Sequence, residues 1–282
     1  MDWTAYDTSL RYREGTAVVP TSAGWLVHLP DEQFLRIEAE EASRSVVDDL
    51  LGGRTNPAAA MAAAPGAGTA DLLDVLLAEG ALAGPEPTAP GWVVIVGGGL
   101  TSELVDGLLS RSGVRVELAA DLDGLDQAGP PTKATPDAVV AVARWLPDRR
   151  WRALDGWAAK VGVPWHRAHG EGRSWYVGPF TVPGESPSYE DLRLRRLAAC
   201  PWPADLLELW AWLDGGGTAA GCEQPGPGEA VAAALLAADV LAHLRGEPVP
   251  GSHVQVGVDA VTGIVRRHPV LPVPRDLLVD QP

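Results

Sequence analysis

The stretch Trp92–Leu109, WVVIVGGGLTSELVDGLL, limits what this chain can fold into more than any other. Trp92 to Val96 form a short apolar run rich in β-branched side chains, as a strand buried on both faces of a parallel sheet requires. Gly97, Gly98 and Gly99 follow, and then an amphipathic pattern that puts Leu100, Leu104, Leu108 and Leu109 on one helical face. Strand, glycine turn and helix in that order open a dinucleotide-binding type of α/β domain, because glycine lets backbone approach a phosphate at the helix N-terminus. Gly97-x-Gly99 fits that fingerprint, and Ser102 stands where a third glycine belongs. A tight strand-to-helix turn accounts for the glycines equally well.

The chain's 282 residues leave room for two domains. Hydrophobic residues make up 46% and mean hydropathy is +0.02, the balance of a globular protein. No apolar run approaches the ~20 residues of a membrane span. The first residues, MDWTAYDTSLRYREG, lack the basic-then-apolar order of a signal peptide, so a cytoplasmic protein is expected. A net charge of -15 speaks against a nucleic-acid partner, since phosphate neutralisation needs a basic face. Two cysteines, Cys200 and Cys222, supply neither a disulfide framework nor a four-thiolate zinc site.

Ahead of the glycine turn the chain carries a unit of its own. Thr16–Thr21, Gly24–Pro30 and Gln33–Ala39 read as three short strands separated by turn signals. Helices are expected over Glu40–Leu51, weakly around Ala58–Ala64, and over Thr69–Glu79, with Thr69 as N-cap and Gly80 as stop. Gly84–Pro90 is linker-like. Three strands and three helices make a winged-helix-like module, but residues 1–84 hold five Arg, no Lys and thirteen Asp or Glu, a balance that repels DNA. What remains is a sheet edge beside a helix, where an extended peptide can join as an added strand. Alternation along Gln33–Ala39 sends Leu35 and Ile37 to the core and leaves Phe34, Arg36 and Glu38 on the other face.

The run TAVVPTSAGWLVHLPDEQFLRIEAEEA, with VVDDLLGGR and DLLDVLLAEGAL after it, resembles the PqqD-type RiPP recognition element. Members of that family bind leader peptides in pathways that modify ribosomally made peptides. The resemblance implies a leader paired with the third strand, at Phe34, Leu35, Arg36, Ile37 and Glu38, and packed on the third helix, at Leu72, Leu73, Val75 and Leu76. Read from the residues alone, the same apolar side chains serve as the module's own core.

Beyond the glycine turn, Gly113–Leu118, Asp137–Trp145, Val161–His166 and Ser174–Val182 are expected strands. Asp148–Lys160, Asp205–Leu213 and the alanine-rich Gly228–Leu244 are expected helices, the last one buried. His253–Val258 and Gly263–Arg267 suit a closing hairpin, followed by a proline-rich extended tail. Glu117, or Asp121 beyond it, stands near where a dinucleotide fold keeps its ribose carboxylate, and either also suits a solvent-facing strand end.

This order, and above all the phrase VGPFTVPGESP, resembles the ThiF-type (ubiquitin-activating-like) superfamily in its divergent branch of azole- and thiopeptide-forming clusters. There such proteins are cyclodehydratase partner proteins. The resemblance implies an α/β fold with a mainly parallel, Rossmann-like sheet over 92–282, a recognition element over 1–84 and a linker at 85–91. It also implies homodimers. In that branch the phrase leads into a Cys-x-x-Cys pair, whereas here Ser188 and Asp191 occupy those positions, so zinc is not expected. His166-x-x-His169 has metal-like spacing on a strand and loop, and reads as a structural or substrate-side pair. Active ThiF-type enzymes place an arginine, an asparagine, a lysine and an Mg²⁺-holding aspartate around the triphosphate. The segment after Leu118 offers neither Asn nor Arg, and Lys133 is its lone cation.

The expected function is therefore a non-catalytic, leader-binding partner that delivers a precursor peptide to a YcaO-type cyclodehydratase, the partner using the ATP. The alternatives are an active adenylating enzyme using ATP and Mg²⁺, a nicotinamide-dependent oxidoreductase, and a winged-helix regulator. Gly97, Gly99 and Glu117 are the vestigial nucleotide-site residues of this reading.

Overall fold

The computed structural model describes residues 10–22, 24–38, 44–51, 59, 67–83, 91–119, 135–218 and 226–274. The expected helix at Ala58–Ala64, the linker Gly84–Pro90, and Asp121, Lys133 and Cys222 lie outside these residues, apart from Ala59. Residues Met1–Pro87 and Thr88–Pro282 form two compact units.

In the first unit, β2 (Ala17–Thr21), β3 (Gly24–His28) and β4 (Phe34–Ile37) form an antiparallel sheet in the order β2-β3-β4. A two-stranded pairing of β1 (Arg11–Tyr12) with β5 (Leu82–Ala83) is an addition the sequence did not suggest, because two residues carry no periodicity. Helices α1 (Arg44–Leu51) and α2 (Ala67–Ala78) complete the described elements. Val27, Leu29, Ile37, Leu50, Leu51, Leu73 and Leu76 share one core with Ala81 and Leu82. Thr69 is the third residue of α2 and buried, not its cap. Gly80 ends the helix as expected, in the left-handed conformation at φ 73°.

The second unit is a seven-stranded sheet in the order β12-β11-β10-β9-β8-β6-β7. Its strands are β6 (Trp92–Val96), β7 (Arg115–Ala119), β8 (Ala138–Ala143), β9 (Trp165–Glu171), β10 (Ser174–Val177), β11 (Val254–Asp259) and β12 (Val265–Pro269). β7, β6, β8 and β9 run parallel, and β10 to β12 add on antiparallel. Val93 and Ile95 of β6 point into one core and Val94 and Val96 into the other, as a strand covered on both faces demands.

Helices α3 (Leu100–Arg111) and α7 (Pro227–Leu244) pack on the first face, and α4 (Asp148–Val161), α5 (Tyr189–Ala199) and α6 (Pro203–Asp214) serve the second. At 18 residues and a mean hydropathy of 1.3, α7 is long and apolar enough by composition to cross a membrane. It instead lays Ala232, Ala233, Leu236, Ala237 and Val240 against the sheet and α3.

The largest differences from expectation in this unit lie between β9 and α5. β9 begins at Trp165 and runs on through Arg167, His169 and Glu171. β10 ends at Val177 rather than continuing to Val182. Tyr189–Ala199 is a helix, α5, that its charged sequence concealed.

Candidate functional site

In the first unit, β4 pairs with β3 alone, and its far side is an open edge, among the described residues. The Leu29 amide donates to the Gln33 carbonyl at 2.8 Å, which fixes the parity of the ladder. Leu35 and Ile37 then turn their backbone groups to β3, and Phe34 and Arg36 turn theirs outward. Side chains follow the expected alternation. Ile37 is buried and Leu35 half-buried, while Phe34, Arg36 and Glu38 are exposed. Phe34 is 63% exposed and meets the His28 ring in a T-shaped arrangement, at 4.9 Å between centroids.

On α2, Leu73 and Leu76 are fully buried and belong to the core, and Val75 is exposed. Leu72 is half-buried against the same core as Leu35. The nine residues thus divide. Ile37, Leu73 and Leu76 hold the unit together, and the other six are offered wholly or partly to solvent.

In the second unit, the chain leaves β6, forms β7 on one side and returns to β8 on the other, so the crevice at their carboxyl ends is a topological switch point. Gly97 is required there. Its φ is 104°, and a Cβ would lie 2.0 Å from the Val142 carbonyl oxygen. Gly99, at φ 92°, needs glycine for its conformation alone. Ser102 is buried, so a small residue does serve at the third glycine position, where helix meets sheet.

The buried face of α3 keeps Leu104 and Leu109 of the expected one and loses Leu108. Thr101, Ser102, Val105 and Leu109 are buried and Leu108 is exposed. The Thr101 hydroxyl donates to Glu229 Oε1 at 3.1 Å, and Glu103 stands in the first turn. Two carboxylates at this helix start suit its dipole but oppose a triphosphate. Glu117 is exposed on β7. Among the described residues, the start of α3 thus brings carboxylate charge, from Glu103 and the Thr101-bound Glu229.

β9 carries WHRAHGE, polar letters on a buried central strand. His166 and His169 point to opposite faces and cannot share a ligand. His166 Nε2 lies 2.9 Å from Asp239 Oδ2, whose other oxygen accepts the Gly251 amide at 3.0 Å. On the opposite face, Arg167 is fully buried, with its guanidinium 4.5 Å from the Trp165 ring centre and 5.4 Å from that of Tyr189. It donates to Thr181 Oγ1 at 3.0 Å. Burial lowers its pKa to about 10, against the pull of Asp155, Tyr189 and Asp191.

Ser188 and Asp191 have a local purpose, forming the capping box of α5. Each side chain accepts the other's backbone amide, and Asp191 Oδ1 also accepts from the Val273 amide at 2.9 Å. Cys200 is half-buried just past that helix. Among the described residues, no group of three or more His, Cys, Asp or Glu could hold a metal ion.

His169 stacks on Tyr176 and lies 3.5 Å from Glu171, which takes a 2.6 Å hydrogen bond from Arg196. Burial lowers the His169 pKa below 6.5, with Glu171 opposing. Burial would raise the Glu171 pKa, but His169 and Arg196 outweigh it and bring it from 4.5 to about 2. Both shifts carry one sign, since the unfolded chain takes up these protons first as pH falls. Stability should be full above pH 6.5, decline as His169's share is lost below it, and decline again from pH 4.5 toward 2. The Glu171 part is on the order of 2–3 kcal/mol. Urea unfolding at a series of pH values checks this, and Glu171→Gln should flatten the lower limb.

No family model matches the chain, and no curated protein sequence does. Solved structures do. The heterocyclase TruD superposes with a TM-score of 0.68 at 14% identity, over 95% of this chain and 42% of that one. A heterocyclase in complex with substrate and cofactor gives 0.65 at 15%, over 93% and 38%. MccB of E. coli, solved with ATP, gives 0.60 at 15%, over 94% and 97%. The chain spans about two fifths of these heterocyclase chains and nearly all of MccB. At such identity the likeness is one of fold alone: an α/β architecture, as the sequence resemblance implied, on a sheet of four parallel strands extended by three antiparallel ones.

Proposed function

We propose that this chain is a leader-peptide-binding partner in ribosomal peptide biosynthesis, capturing a precursor on β4 and delivering it to a separate YcaO-type cyclodehydratase that consumes the ATP. The observation that carries this reading is the free β4 edge. Phe34 and Arg36 turn both backbone groups and side chains outward there, with half-buried Leu35 and Leu72 at the margin of the core. An extended peptide added to that edge gains ladder hydrogen bonds for affinity and meets Phe34 and Arg36 for selectivity. The fold likeness adds support, since solved forms of the microcin C7 biosynthetic enzyme MccB include a complex with N-formylated MccA. The recognition-element identity of residues 1–84 belongs to this proposal, as does a homodimer.

Arg36→Glu tests selectivity. It should weaken binding of a fluorescent leader by roughly 1–2 kcal/mol, as a partly exposed charge-assisted contact turns repulsive. The melting temperature should hold, because an exposed strand charge contributes little to stability. Unchanged binding would remove Arg36 from the interface.

A second reading, an ATP-using adenylating enzyme, draws on the glycine turn and on MccB having been solved with ATP. The carboxylates at the start of α3 favour the first. Calorimetry with ATP and Mg²⁺ on the purified chain should be flat, with ATP turnover appearing only when the cyclodehydratase is added. Saturable micromolar binding would transfer the conclusion to the second reading.

A further inference from the structure

The second unit has an exposed edge at β12. All five residues, Val265–Pro269, are exposed, and among the described residues β12 pairs with β11 alone. The Asp259 amide donates to the Ile264 carbonyl and the Val270 amide to the His253 carbonyl, which sets the ladder parity. Residues 264, 266 and 268 therefore bond to β11. The amides of Val265 and Arg267, and the carbonyls of Val265, Arg267 and Pro269, face away from it.

The side chains along this edge run against the chain's overall charge of -15. Arg266 and His268 stand on one face and Arg267 on the other, where it donates to the Pro250 carbonyl at 3.3 Å. The neighbouring carboxylate, Asp259, is already engaged by Arg173 and by the amides of Val261 and Thr262. At the hairpin tip, Val261, Ile264 and Val265 are all exposed apolar side chains. The strip is thus apolar at one end and cationic along the rest.

We propose that the β12 edge receives an extended acidic segment of a partner protein as an eighth strand, its carboxylates meeting Arg266 and His268 on one face and its apolar residues meeting Val265 on the other. A second copy of this chain suits the edge less well, because pairing β12 with itself would set Arg266 and Arg267 against their own like charges. Charged edges also serve simply to prevent pairing, and absent binding would mark β12 as one of them. The inference is separate from peptide capture at β4, on the other unit.

The probe is a fluorescein-labelled peptide of about six alternating Glu and Val residues, the usual length of a strand, titrated against the full chain by anisotropy. Saturable binding that weakens with salt is expected. The double variant Arg266→Ala/His268→Ala should lose about tenfold or more in affinity. Val265→Pro should lose as much, since it removes an outward amide while keeping the β11 ladder. Both variants should melt with the parent and should bind the fluorescent leader as the parent does. The proposal is overturned by absent binding, by equal binding of a Lys–Val peptide, or by affinity that survives both variants. Sedimentation showing a dimer that Val265→Pro abolishes would overturn it too, in favour of a second copy at the edge.

Discussion

Proline at position 35 is expected to cost the first unit about 3 kcal/mol or more, while proline at position 36 should leave its stability nearly untouched. The two positions are adjacent, so local composition cannot explain such a difference. Leu35 directs its backbone to Val27 of β3 and its side chain to the core margin, so Leu35→Pro breaks a ladder bond and unpacks the sheet. Arg36 directs its amide away from β3, where an edge strand tolerates proline. Peptide capture should then separate from folding. Arg36→Pro removes one of the outward donors along with the charge, and should weaken leader binding at least about tenfold in a fold that melts normally. Melting curves paired with leader titrations read both effects.

Asp148→Ala is expected to destabilise the second unit by about 3–5 kcal/mol, the cost of stripping one partner from a buried ion pair. Asp148 is buried in the first turn of α4 and accepts the Tyr189 hydroxyl at 2.7 Å. Arg193 Nε lies 3.0 Å from each of its oxygens. Alanine would leave a guanidinium and a phenol in the low-dielectric space between α4 and α5. Burial, with Asp148 next, raises the Tyr189 pKa, so the phenol cannot relieve the loss by ionising. Tyr189→Phe removes a single hydrogen bond and should cost only about 1 kcal/mol. Denaturant unfolding of the two variants should separate them clearly.

The parts of this molecule that were legible in the sequence are those where one period dominates. WVVIV could be only a doubly covered strand, and FLRI placed Ile37 inward and Phe34 and Arg36 outward by alternation alone. β9 was misplaced because its burial is paid for by partners remote in sequence. His166 needs Asp239, and Arg167 needs Thr181 and the rings of Trp165 and Tyr189. The helix α5 was hidden by RLRR, yet Ser188-x-x-Asp191 is a capping-box signal that could have found it. In α3, leucine spacing suggested one face, but the small polar residues Thr101 and Ser102 are the ones that fit beneath the helix. On α2 the spacing could not tell core Leu73 and Leu76 from the half-buried Leu72 and exposed Val75. That distinction depends on where α1 and the sheet come to rest.

Peptide capture by the first unit is the central claim, and one titration tests it directly. Residues 1–87 enclose a core of their own. A fragment of that length, shown by circular dichroism to be folded, is titrated with the labelled leader beside the full chain and beside residues 88–282. The fragment should bind within about an order of magnitude of the full chain, because added-strand pairing needs only the edge and its margin. A folded fragment that does not bind, with affinity intact in residues 88–282, would contradict the account.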